Sequence, residues 1–225
     1  MRPFSEIEAL AAEQKGGHDT LVSLLAEREG PKTPEELAAI SDDRWLAMFT
    51  RCVFYTGFSW KVIDQKWPGF EEAFEGFDVG LLSFWPDEEY DRLTSDKRIV
   101  RNGMKIRSVQ ANALFLKDLA AEHGSAARFF ADYPVTDQIG LMDLLKKRGS
   151  RLGGATGSLA LRFIGKESFM LSRDVIAALI REKVAFSDKP SKKNLQAIQQ
   201  GFNEWKAESG RSLNEISRIL AFSVG

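Results

Sequence analysis

Helix-start and helix-stop signals recur along the whole of this chain, and no alternating apolar–polar run is long enough to make a strand. Ser5 with Glu8, Thr33 with Glu36, and Ser212 with Glu215 each set a hydroxyl three residues before a carboxylate. That spacing is a capping box, in which the two side chains satisfy orphan N–H groups at a helix start. Ser41, Ser59, Asp78 and Ser125 are further N-cap positions. Stops fall at Gly30-Pro31, Gly57, Gly76, Gly124, Pro134, Gly149, Gly165 and Gly210, where periodic segments end. The pattern predicts about eleven helices, most of them short, joined by tight connections, and hence an all-α protein.

At 225 residues, 44% of them hydrophobic and 28% charged, the chain can bury one sizeable core or two small lobes. Its net charge of -1 excludes a global electrostatic pull toward nucleic acid, so any DNA affinity must come from a local patch. The single cysteine, Cys52, rules out an internal disulfide. With only His18 and His123 beside it, a zinc site of the Cys/His type is not expected, and no cofactor is implied. No apolar run reaches membrane-spanning length, and the acids of the N-terminal stretch do not suit a signal peptide. The cytoplasm is therefore the default location, and a monomer the default state.

The local patch is the stretch from Lys97 to Ala113, which gathers Lys97, Arg98, Arg101, Lys105 and Arg107 around Asn102-Gly103. It reads as a hairpin between two helices, with Gly103 leaving room for a sharp turn or a close backbone approach. Ile106, Val109, Ala113, Leu116 and Ala120 then recur at helical spacing, so the second helix buries one face. Such a corner can offer N–H groups and cations to a phosphate; it equally reads as a solvated packing corner. Upstream, Asp42 to Thr56 forms a longer helix carrying Cys52 and Tyr55, broken at Gly57. Most of the aromatics that follow, Trp67, Phe70, Phe74, Phe77, Phe84 and Trp85 among them, are expected in the core. Phe58-Ser59-Trp60, at the helix break, is placed to project into a cleft. The glycine-rich run Arg151 to Gly157 lacks the strand and the Gly-Lys-Ser/Thr ending of a nucleotide loop, and reads better as a place where helices approach closely.

Taken in order, Thr56-Gly57-Phe58-Ser59-Trp60, Phe70 to Asp78, Ile99 to Ile106, Asn112-Ala113 and Lys147-Arg148-Gly149 resemble the DNA-3-methyladenine glycosylase I family. The resemblance covers residues 42–180, with the hairpin at 97–113. Residues 1–41 and 181–225 are helical extensions, expected to pack together as part of a second lobe. It implies the helix-hairpin-helix DNA glycosylase fold, two helical lobes flanking a cleft. The partner it implies is double-stranded DNA carrying an alkylated base. Position by position, Arg101, Asn102, Gly103 and Lys105 match the hairpin that grips the DNA backbone, and Gly57-Phe58 match the loop that enters the vacated stack. Trp60 matches the pocket aromatic, with Cys52 and Tyr55 beside it lining the base pocket.

The departures from the family are specific. Cys52 stands where the family places a pocket glutamate, and a thiol is a weak hydrogen-bonding group. The family's zinc ligands are absent, Asp174 standing near the position of one of them. Where the wider superfamily has a catalytic aspartate this chain has Ser172, and the methyladenine branch also lacks that aspartate; Asp174 is a candidate catalytic carboxylate, as general base or charge stabiliser, but reads more readily as a surface ion-pair partner. The implied activity is monofunctional hydrolysis of the N-glycosidic bond of an alkylated purine, 3-methyladenine first, in base excision repair. The alternatives are a non-catalytic DNA-binding protein of the same fold that recognises damaged or distorted DNA, and a helical interaction module.

Overall fold

The computed structural model describes residues 1–27, 29–189 and 191–224, and every regular element among them is helical. In chain order these are α1 (Phe4–Gln14), α2 (His18–Ala26), α3 (Pro34–Ala38), α4 (Asp42–Tyr55), α5 (Trp60–Ala73), α6 (Val79–Leu82), α7 (Asp87–Ser95), α8 (Gly103–His123), α9 (Ala126–Asp132), α10 (Gln138–Arg148), α11 (Ala155–Ile164), α12 (Arg173–Arg181), α13 (Lys192–Ser209) and α14 (Leu213–Phe222). Two single 3-10 turns, Glu75–Phe77 and Val135–Asp137, complete the set. The all-α reading holds. The helix count exceeds the expected eleven partly because pieces as short as α6, with four residues, are hard to see as a period.

The boundaries follow from the caps. Thr33 and Ser212 form their capping boxes, and Asp78 and Ser125 accept from the N–H groups of Leu81 and Arg128. Gly124, Gly165 and Gly210 end their helices in the left-handed conformation. The Ser5–Glu8 box does not form, because α1 already starts at Phe4 behind Pro3 and Ser5 is inside the helix. Three further side-chain caps escape a sequence reading: Asn102, Ser172 and Ser191 accept from the N–H groups of Lys105, Val175 and Asn194. Ser172 therefore has a structural duty at the start of α12.

The chain divides into two compact units. One comprises Met1–Pro31, Pro134–Gly140 and Glu167–Gly225; the other comprises Lys32–Tyr133 and Leu141–Lys166. In the first unit, Phe169 stacks on Phe202 at 4.1 Å, and Phe4 meets Trp205 at 6.0 Å. The Arg211 guanidinium is held by Glu8 and by Glu215, tying the N-terminal helix to the C-terminal ones within this unit.

The second unit is built on α4, which packs against both α8 and α11. Trp45 stacks on Phe130 at 4.6 Å, and Trp67, Phe70, Phe74 and Phe77 form a ladder of near-parallel rings. Phe70, Phe74 and Phe77 are fully buried, each removing a large apolar surface from water for about 1.5–3 kcal/mol. Phe84 does not join them. It is 74% exposed, because the single turn of α6 turns Leu82 inward and leaves Phe84 outside, under the Lys117 ammonium at 3.9 Å.

A second helical hairpin lies between α10 and α11. A Cβ on Gly157 would sit 2.4 Å from the Leu152 carbonyl oxygen, so only glycine lets α11 approach its own loop so closely. The fully buried Asn112 of α8 pins that loop, donating to the Ser150 carbonyl at 3.1 Å and accepting from the Ser150 N–H at 2.7 Å.

Candidate nucleic-acid interface

The site is assembled in the second unit, where α4 ends. Thr56 leaves the helix in extended conformation, Gly57 turns with φ +79°, and Ser59 opens α5 so that Trp60 is its first residue. Phe58 and Trp60 remain 37% and 47% exposed, unlike the aromatics of the core. The Trp60 indole lies against the Tyr55 ring at 4.6 Å and 16°, and meets Phe163 of α11 edge-on at 5.7 Å. One face is thus backed by an aromatic wall, as expected of a platform on which a further flat ring can stack.

A polar clamp holds that wall. The Tyr55 hydroxyl donates to Asp64 Oδ1 at 2.5 Å, and Arg51 donates to the same oxygen at 2.6 Å and to the Tyr55 hydroxyl at 2.9 Å. Burial and the Asp64 hydrogen bond push the Tyr55 phenol up to about 12, so it stays a donor. The Tyr55 hydrogen bond and the Arg51 guanidinium hold the Asp64 carboxyl below its ordinary 3.8. These partners were legible only as i, i+4 pairs, Arg51 with Tyr55 and Trp60 with Asp64; Phe163 gave no sequence signal of its own.

The basic corner is more selective than its charge suggests. Arg98 is tied to Asp96 and Glu72, and Arg107 lies over the Tyr90 ring with Asp87 at 3.7 Å. Arg101 is exposed, and among the described residues its guanidinium makes no ion pair or hydrogen bond. Asn102 caps α8 through the Lys105 N–H, and the N–H groups of Gly103 and Met104 before it have no acceptor within the helix. Gly103 is not a strained turn. It is the first helical residue, and a Cβ there would meet only Thr94, at an ordinary 3.7 Å.

Lys105 departs from the expected phosphate-facing position. It is only 7% exposed, and its ammonium donates to the carbonyl oxygens of Val53, at 2.8 Å, and Thr56. The physical reason is that α4 ends in carbonyls without helical partners, which a cation from α8 can satisfy. Cys52 likewise lies inside, 1% exposed, its thiol pushed up to about 12 by burial. It packs on the core face of α4 as a small apolar residue. Asp174 belongs to the first unit, exposed in the first turn of α12, where a carboxylate suits the helix dipole. One further cation lies by the corner: exposed Arg151, from the loop before α11, reaches the Met104 sulfur at 3.4 Å.

Residues 38–149 match the family model described as methyladenine glycosylase. The chain belongs to that family. The matched span holds Cys52, Tyr55, Gly57, Phe58, Trp60 and the corner from Arg101 to Lys105; Arg151, Phe163 and Asp174 lie beyond it. Among solved structures, two of 3-methyladenine DNA glycosylase I from Staphylococcus aureus are similar in fold to this methyladenine glycosylase family member. One, solved to show how that enzyme recognises 3-methyladenine, has a TM-score of 0.50 at 22% identity, covering 56% of this chain and 77% of that one. The other, a point mutant, has a TM-score of 0.52 at 20% identity, covering 68% and 90%. The helix-hairpin-helix glycosylase fold is shared.

Proposed function

We propose that this methyladenine glycosylase family member is a monofunctional DNA glycosylase acting on alkylated purines, 3-methyladenine first. The observation that carries the proposal is the half-exposed Trp60 indole, backed by Tyr55 and Phe163, in the same unit as the corner that presents Arg101 and the start of α8. Arg101 and the α8 N–H groups hold the phosphate backbone without reading sequence, which suits a search for damage at any site. Phe58 fills the gap left by the extruded nucleotide. Rotation out of the stack costs a few kcal/mol, and stacking on Trp60 returns about 1–3 kcal/mol.

A purine methylated on the ring carries a positive charge that an electron-rich indole face attracts. Its C1′–N bond breaks with both electrons passing to the base, which leaves neutral. Water then adds to C1′ and loses a proton. Such a leaving group needs little acid help.

The test is release of base from duplexes carrying 3-methyladenine, 7-methylguanine, hypoxanthine or 1,N6-ethenoadenine. Excision of the first, abolished in Trp60→Ala, supports the enzyme; failure on all four rejects it. The inward-facing Cys52 favours a second reading, a damage-binding protein without catalysis. Salt-dependent binding to DNA with no base released would establish that one instead.

A further inference from the structure

We propose that Lys105 is a positioning residue that locks the Gly57–Phe58 loop to the DNA-gripping corner, so that engagement of the backbone and insertion of the wedge are a single rigid movement. The inference rests on the reading of this site as a base-extruding one, and it concerns how that site is kept in register.

Lys105 joins three elements at once. Its backbone N–H is accepted by Asn102 Oδ1 at 3.1 Å, fixing it in the first turn of α8. Its ammonium closes the end of α4 through the Val53 and Thr56 carbonyls. The same ammonium sits 4.7 Å over the Phe58 ring and 5.7 Å over the Phe54 ring. Phe54 is fully buried and Phe58 is not, so one cation links a buried core ring to the exposed wedge. The Thr56 and Thr156 hydroxyls stand 3.4 Å apart, a second tie on the same loop.

The chemistry explains why a lysine is here. Two carbonyls at a helix C-terminus and two ring faces are all partners for a compact point charge, whereas a planar guanidinium needs a coplanar pair of acceptors. Burial and nearby Arg151 both disfavour the charged form and hold its pKa below the ordinary 10.5, while the two carbonyls and the ring faces are partners that suit a cation. A cation held this way does not release phosphate counterions. It acts on catalysis only through the position of Phe58, and a misplacement of about 1 Å in such a site costs about 100-fold in rate.

The experiment compares the full-length protein with Lys105→Met, which keeps the stem and removes the charge. Lys105→Gln serves as a second variant should the first not fold. Binding to undamaged duplex is followed across a salt series, single-turnover release of 3-methyladenine is timed, and amide hydrogen exchange is measured at residues 56–59. The expected result is a salt slope within about 0.3 of the native one, since a lost phosphate contact would change it by about 0.9. Release slows by about 100-fold, and the loop amides exchange faster. A slope reduced by about one unit would make Lys105 a phosphate ligand and overturn the proposal. So would unchanged exchange at the loop, or unchanged release in a protein that excises. If the native protein releases no base, the enzyme reading fails by itself. The exchange measurement then still decides whether Lys105 holds the loop.

Discussion

Trp60 keeps almost half its surface open while the Tyr55 ring it stacks on is buried, and that contrast is what a stacking platform requires. Replacing it with alanine should leave the fold intact, since little core is lost. It should weaken binding to lesion-bearing DNA by about 5- to 150-fold, the equivalent of about 1–3 kcal/mol of stacking, as read by fluorescence anisotropy. The clamp behind it is titratable. Because Asp64 titrates below its ordinary 3.8, its contribution is whole above that value and lost as pH falls through the lower, folded one. Carbon-13 NMR of the Asp64 carboxyl should show this depressed titration, moving back toward 3.8 in Tyr55→Phe. An unmoved titration would mean that the hydroxyl does not set it.

At the scale of the element, the start of α8 and the close approach of α11 make opposite demands on glycine. Gly157→Ala drives a Cβ into the Leu152 carbonyl and should cost about 1–3 kcal/mol in urea unfolding. Gly103→Ala meets nothing closer than 3.7 Å and should change stability by no more than about 0.5 kcal/mol. If DNA backbone approaches there, the same methyl group weakens duplex binding several-fold, a loss with no counterpart in stability. Asn102→Ala removes the α8 cap and should cost about 1 kcal/mol.

For the whole molecule, a net charge of -1 means that DNA affinity must be carried by a few cations. Those left unpaired at the corner decide it. Arg101→Ala should lower the salt slope of duplex binding by about one unit, whereas Arg98→Ala, already tied to Asp96 and Glu72, should leave it unchanged. Equal effects of the two would show that bulk charge, not the corner's geometry, drives binding.

The sequence alone was enough for the helical class, for the capping boxes at Thr33 and Ser212, and for singling out Phe58-Ser59-Trp60 at a helix break, because these depend on local spacing and on chain breaks; that Trp60 stays outside the core was decided by the fold. It also carried the family resemblance across most of the candidate site. It could not show that Lys105 turns inward, since whether a cation meets water or the end of another helix depends on which helix lies beside it. Nor could it show that Phe163 backs Trp60, that Asn112 pins the loop before α11, or that residues 134–140 join the unit of the termini. Those partners are far apart along the chain, and only tertiary packing brings together groups whose separation in sequence carries no period.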